Sequence, residues 1–212
     1  MSVWGVVVAA GSGTRFGAPK QYETLAGTRL VDHAVAAARA ACDGVVLVVP
    51  AADVSHARQL RNAADVVVAG GAVRSASVRN GLAAVPDGVD IVVVHDAARP
   101  MAPVELFDAV VAAVRDGADA AVPGLPIADT VKEVDGSRVV ATLDRSRLVL
   151  VQTPQAFLLS ALSAAHAQGG DATDDAALVE RNGGKVVVVP GSEAAAKVTT
   201  PADLERLARS AS

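Results

Sequence analysis

Seven short runs of contiguous apolar residues, most of them valine-rich, constrain this chain more than any other feature: Val3–Ala10, Val45–Val49, Val66–Ala69, Ile91–His95, Ala120–Val122, Leu148–Val151 and Val186–Val189. They are continuously apolar rather than alternating, as strands covered on both faces are. The stretches between them carry helical spacing. Leu30, Ala34, Val35 and Ala38 share one face, and Val104, Phe107, Val110, Val111 and Val114 form another stripe with Pro103 placed for a first turn. Leu158–Gln168, Thr173–Arg181 and Pro201–Ala208 read as three further helices. Alternation of this kind predicts an α/β fold: a Rossmann-like, doubly wound, mainly parallel sheet with helices on both faces.

One segment breaks the rhythm. Val131–Val134, Asp135-Gly136 and Val139–Thr142 read as a β-hairpin, because Asp-Gly favours a two-residue type I′ turn. The expected organisation is therefore one domain over residues 1–212 with an inserted, projecting β-arm at about 125–147. An isolated two-stranded arm is marginally stable and calls for a partner surface, which points to a homodimer.

Composition narrows the function classes. Hydrophobic residues make up 51% of the chain, enough for a core without disulfides or metal staples, and aromatics only 2%, so valine, alanine and leucine must build it. The single cysteine, Cys42, cannot form an internal disulfide, which fits a reducing compartment. Net charge is −4 with no block of like charge, which argues against nucleic-acid binding. The apolar start lacks a basic flank and is followed at once by Gly11, and no run approaches the roughly 20 residues of a membrane span. These features predict a soluble, cytoplasmic protein with no membrane partner. His33, His56 and His166 are scattered, and no His/Cys group has zinc-ligand spacing.

The first strand runs into Gly11-Ser12-Gly13-Thr14-Arg15-Phe16-Gly17-Ala18-Pro19-Lys20. In open α/β sheets ligands bind beyond the carboxyl ends of the strands, and glycines there let backbone N–H groups approach a phosphate. The loop lacks the Gly-Lys-Ser/Thr of a P-loop. Its G-x-G-x-x-x-G spacing is not the dinucleotide fingerprint, and Ala18-Pro19 disfavours an immediate helix. With Arg15 and Lys20 it suits a nucleoside triphosphate whose charge must be neutralised during attack at phosphorus. On chemistry alone, a Gly-rich connecting turn with two solvated cations remains open beside that reading.

Ala9-Ala10-Gly11-Ser12-Gly13-Thr14-Arg15, followed by Pro19-Lys20-Gln21-Tyr22, resembles the signature of the 2-C-methyl-D-erythritol 4-phosphate cytidylyltransferases. Further segments match in order: Arg74–Val78, His95-Asp96-Ala97-Ala98-Arg99-Pro100, Asp129-Thr130, Asp144-Arg145, Thr153-Pro154-Gln155, Thr173-Asp174-Asp175 and Lys197-Val198-Thr199. The resemblance spans nearly the whole chain. It implies transfer of CMP from CTP to 2-C-methyl-D-erythritol 4-phosphate, with pyrophosphate released, Mg2+ as the divalent cation accompanying CTP, and a homodimer formed through the arm.

Site residues follow from the same resemblance. Arg15, Lys20 and Lys197 would stabilise charge at the reacting phosphate. Ala10, Gly11, Ser12, Gly13, Gly71, Ser77 and Asp96 would bind the nucleotide, with Asp96 near the ribose and the metal, directly or through water. Asp129, Arg145 and Thr153 would bind the methylerythritol phosphate. The residues alone leave plainer roles open: Asp96 as a turn cap, Lys197 as a solvated strand-end lysine, Ser77 as a helix-terminus serine, and turn or capping roles for the three acceptor residues. After Gly70-Gly71, where the family often has an acidic residue, this chain has Ala72, so a base contact through that side chain is lost. Thr173-Asp174-Asp175 reads as the cap of the following helix. Competing readings are a cytidylyltransferase for another polyol phosphate such as ribitol 5-phosphate, an enzyme using another nucleotide, and a non-catalytic nucleotide-binding regulatory protein.

Overall fold

The computed structural model describes residues 1–59, 64–169 and 174–210. In chain order the elements are β1 (Val3–Val8), the hairpin β2 (Thr24–Leu25) and β3 (Thr28–Arg29), α1 (Leu30–Ala41), β4 (Gly44–Val49), α2 (Val54–Gln59), β5 (Val66–Ala69), α3 (Arg74–Leu82), β6 (Ile91–Asp96), α4 (Val104–Arg115) and β7 (Ala120–Pro126). There follow β8 (Val131–Asp135), β9 (Arg138–Leu143), β10 (Val149–Val151), β11 (Gln155–Leu158), α5 (Leu159–Ala167), α6 (Ala176–Arg181), β12 (Val186–Pro190) and α7 (Pro201–Ser210).

The central sheet runs β10-β7-β11-β6-β1-β4-β5, with β12 on the other edge of β7. The pairs β1–β4, β1–β6, β4–β5 and β7–β12 are parallel. Side chains of one strand alternate between two cores, which is why the runs look continuous. Val3 and Val7 of β1, with Val45 and Leu47 of β4, face Val35 of α1 and Phe107 and Val110 of α4. Val6, Val46 and Val48 face Val78 of α3, Leu162 of α5 and Val179 of α6. The predicted doubly wound, mainly parallel α/β sheet is the observed one.

Four details differ from expectation. Leu148–Val151 reads as a covered strand, yet β10 is exposed, Leu150 at 56%, because it pairs antiparallel with the distal end of β7, Val149 opposite Pro126. β11 is wedged antiparallel between β6 and β7, and its four residues are too short and mixed to announce a strand. The arm is present, but Asp135 pairs with Arg138, so the loop residues are Gly136 and Ser137 rather than Asp135 and Gly136. Gly136 takes φ +57, the left-handed conformation that a tight hairpin turn needs and glycine adopts without strain. The predicted Thr173–Arg181 helix begins at Ala176; Thr173 lies outside the described residues. Among the described residues no helix is long and apolar enough to cross a membrane.

The β2–β3 turn holds exposed Ala26 at φ +50, followed by Gly27 at φ +81. An L-residue with a Cβ is disfavoured there. Ala26→Gly is expected to raise the unfolding free energy by about 0.5–1 kcal/mol, the relief of left-handed strain less the entropy of the extra glycine in the unfolded chain. Urea titration checks this; a lowered midpoint would refute it.

Candidate active site

Parallel pairing of β1 with β6 sets Val8 opposite Asp96, so the segments leaving both strands emerge side by side. Ala9 N donates to Val48 O (2.7 Å) and Ala97 N to Val8 O (3.0 Å), extending the sheet one step into these loops. Beyond them opens a cleft of about 390 Å³, within the size range of small-ligand sites. Ala10, Gly11, Ser12, Gly13, Arg15 and Lys20 of the first loop line it, together with Gly71, Ser77, Asp96 and Lys197.

The first loop folds back on itself. Phe16 N and Gly17 N both donate to Gly13 O, at 2.8 and 2.9 Å. Gly13 has φ +68, and a Cβ there would lie 1.8 Å from Ala18 O. Lys20 then falls in a short 3-10 turn, Lys20–Tyr22, and its Nζ donates to Val198 O at 2.6 Å.

The opposite lysine is delivered from the far end of the chain. Val198 N donates to Ala98 O (2.8 Å), and Arg99 Nη1 donates to Ala195 O (2.7 Å). These bonds pin the 195–198 segment against the loop after β6 and point Lys197 into the cleft, where Nζ donates to Asp96 Oδ2 at 2.7 Å. Arg99 therefore braces this segment, and its Nη2 also reaches Val151 O at 3.3 Å.

Burial, with Lys197 and Arg15 nearby, pushes the Lys20 ammonium below its usual range. The loop thus holds cations in mutual repulsion that an arriving polyanion would relieve. Burial pushes the Asp96 carboxyl up, but Arg74 and Lys197 outweigh it and hold Asp96 well below the carboxylate range. Arg74 Nε donates to Asp96 Oδ1 at 3.2 Å, so each carboxylate oxygen has a cationic partner.

Ser77 is buried, with its hydroxyl accepting from Gly71 N (3.1 Å) and donating to Val73 O (3.2 Å). It ties down the turn before α3. Gly71 packs against Ala76, whose Cβ would be 2.4 Å from any Cβ at residue 71. Thr153 is buried beneath Asp96, and its Oγ1 accepts from Asp96 N at 3.0 Å. His95 Nε2 faces Arg99 O at 3.2 Å; a carbonyl only accepts, so Nε2 carries the proton. Nδ1 is then the acceptor for the Thr153 hydroxyl at 3.2 Å. Burial drives His95 down to about 4, so it stays neutral in this chain of bonds at neutral pH.

Asp129 and Arg145 lie outside the cleft, exposed near the base of the arm, with Arg145 Nη1 donating to Ile127 O at 3.4 Å. Two groups near the cleft, half-buried Arg74 and buried Asp175, had no part in the site as read from sequence. Arg74 lines it, and Asp175 stands behind Arg74, accepting from Nη1 at 2.6 Å. Of the acidic pair read as a cap, only Asp174 caps, accepting from Ala177 N at 3.0 Å; Asp175 turns inward. The one local signal for Arg74 is its place in the first turn of α3, where the helix dipole disfavours a cation.

This geometry offers backbone donors, four cations (Arg15, Lys20, Arg74 and Lys197) and one carboxylate around a cleft, with no nucleophile–histidine pair among the described residues that line it. It suits charge stabilisation at a phosphate. Comparison with known proteins agrees. The family model described as 2-C-methyl-D-erythritol 4-phosphate cytidylyltransferase matches residues 3–209. The chain is 50% identical over 218 residues to the 2-C-methyl-D-erythritol 4-phosphate cytidylyltransferase of Streptomyces avermitilis, covering 94% of this chain and 87% of that protein. The solved structure of the 2-C-methyl-D-erythritol 4-phosphate cytidylyltransferase of Thermus thermophilus superposes with TM-score 0.83 at 36% identity, covering 99% of this chain and 100% of that one. The 4-diphosphocytidyl-2C-methyl-D-erythritol synthase structure from Anaerococcus prevotii gives TM-score 0.86 at 27% identity, covering 99% and 98%.

Proposed function

The chain belongs to the 2-C-methyl-D-erythritol 4-phosphate cytidylyltransferase family, and from that premise we propose how its own residues carry out the reaction. That reaction transfers CMP from CTP to 2-C-methyl-D-erythritol 4-phosphate and releases pyrophosphate, a step of isoprenoid precursor synthesis. A phosphate oxygen of the acceptor attacks the α-phosphorus of CTP. The bond from that phosphorus to the oxygen bridging to the β-phosphorus breaks, and pyrophosphate leaves with the electron pair. An acceptor phosphate is already ionised near neutral pH, so no general base is needed and the work is positioning and charge neutralisation.

The carrying observation is the convergence of Lys20 and Lys197, from opposite ends of the chain, on the cleft beside Asp96. In this reading the triphosphate lies along the 10–13 backbone, and Arg15, Lys20 and Lys197 surround the reacting phosphate. Gly71 and the turn braced by Ser77 face the cytosine, and Asp96 lies by the ribose. Among the described residues no group of three His, Cys, Asp or Glu forms a metal cage, and Asp96 is the cleft's carboxylate. That donor set fits Mg2+ carried in by substrate phosphates and touched by one carboxylate, directly or through water. Bound there, the ion would add positive charge at the triphosphate oxygens.

Asp129, Arg145 and Thr153 are assigned to the acceptor phosphate and polyol, with Thr153 also bracing Asp96. The arm and β10 leave Val134, Val139, Val140 and Leu150 exposed, which supports a homodimer through this surface, with arm residues completing an acceptor pocket. Val139→Glu with Leu150→Glu is expected to give a monomer in sedimentation and to raise KM for the acceptor; an intact dimer would refute the assignment. The substrate CTP and the free Cys42 support cytoplasmic residence.

Pyrophosphate release from CTP and Mg2+ tests the function, with methylerythritol phosphate and ribitol 5-phosphate as separate acceptors. Release with the first alone is expected. Release with ribitol 5-phosphate alone would keep the CTP site and overturn the acceptor.

A further inference from the structure

Asp175 is 1% exposed, and its carboxylate is not spent on capping α6, because Asp174 does that. Burying a carboxylate is costly unless it is paired and hydrogen-bonded. Here Oδ1 is 3.1 Å from Nε2 of buried His166 on α5, and Oδ2 accepts from Arg74 Nη1 at 2.6 Å. Arg74 in turn reaches Asp96 through Nε. A continuous polar path therefore runs from α5, through the start of α6 and the first turn of α3, to the carboxylate in the cleft. Its inner half is buried at Asp175 and His166, while Arg74 lines the cleft at 29% side-chain exposure, so the two carboxylates rather than enclosure hold the guanidinium in place.

Asp96 has two cationic partners of different kinds. Lys197 is half-exposed, reaches Asp96 with a single ammonium on a flexible stem, and in the proposed reaction moves to a phosphate. Arg74 is held at two points of its planar fork by carboxylates on separate elements. We propose that Arg74 is a positioning residue for nucleotidyl transfer: anchored from behind by Asp175 and His166, it is the permanent partner that keeps Asp96 ionised and aimed when CTP draws Lys197 away. Asp175 then acts on the nucleotide only through Arg74. This inference rests on the CTP reading of the cleft and adds residues to which that reading assigned no role.

A double-mutant cycle tests it, using Asp175→Asn, Arg74→Lys and the double variant. Pyrophosphate release is measured with the methylerythritol acceptor, CTP binding by calorimetry without acceptor, and stability by thermal unfolding. Asp175→Asn is expected to lower kcat/KM for CTP and CTP affinity about tenfold, a differential binding loss of the size one charged contact produces, while KM for the acceptor stays constant. In the Arg74→Lys background the same change should cost less than twofold, because lysine cannot span both carboxylates. A purely structural Asp175 would lower the melting temperature in both backgrounds and leave kinetics of the folded protein unchanged. That result, or equal kinetic losses in both backgrounds, overturns the proposal. If Asp175→Asn does not fold, Arg74→Lys alone decides: wild-type CTP affinity and turnover in that variant would refute it. Inactivity of the wild-type protein with CTP would instead refute the proposed function.

Discussion

Replacing Lys20 with alanine is expected to lower kcat by about 10²–10³ while leaving the unfolding midpoint unchanged or slightly raised. The structure explains both halves. Lys20 Nζ has a hydrogen bond to Val198 O and, among the described residues, no carboxylate within ion-pair distance, while burial and its cationic neighbours disfavour its charge. Truncation removes that repulsion from the folded state. What is lost is charge stabilisation as the α-phosphorus becomes five-coordinate, so kcat should fall more than KM for CTP rises. Steady-state pyrophosphate release beside chemical denaturation separates the effects. A folded Lys20→Ala protein with turnover within twofold of wild type would remove Lys20 from the mechanism.

Gly13→Ala should be nearly as damaging for a different reason. The added Cβ would meet the Ala18 carbonyl oxygen at 1.8 Å and would hold a left-handed backbone. Neither atom is the end of a flexible side chain, so the loop itself must open. Gly13 O receives both Phe16 N and Gly17 N, so the backbone that would face the triphosphate shifts together with Arg15. A displacement near 1 Å at a positioned phosphate is worth about 10²-fold, and kcat/KM for CTP is expected to fall by at least that. The loop lies outside the two main cores, so melting should move by only a few degrees. A Gly13→Ala enzyme with wild-type kcat/KM would show that the loop can re-form around a side chain and that its backbone is not the phosphate cradle.

The local chemistry of the cleft was legible because it is written in contiguous segments. The Gly-rich loop with Arg15 and Lys20, and the strand ending in His95-Asp96, carry their own signals of composition and spacing. Given parallel strands, both must emerge at the same edge. The bracing behind them was not legible. Arg74 and Asp175 are 101 positions apart, and neither is unusual for its local segment apart from a cation at a helix start. Thr153 reads as an ordinary polar residue until β11 inserts beside β6 and brings its hydroxyl under Asp96.

Sequence by itself therefore determined the layered α/β architecture, the inserted hairpin and the Gly-rich loop with its cations that lines the cleft, because each depends on periodicity, turn propensity or residue type within a few positions. Tertiary structure decided that β10 is an exposed edge, that the arm's turn is centred one residue later, and that Asp175 faces Arg74 rather than capping a helix. Those outcomes depend on which strand pairs with which, in what register, and on where a buried charge finds its counter-charge. Such choices are settled by the free energy of the whole packed chain, and no short window of sequence contains them.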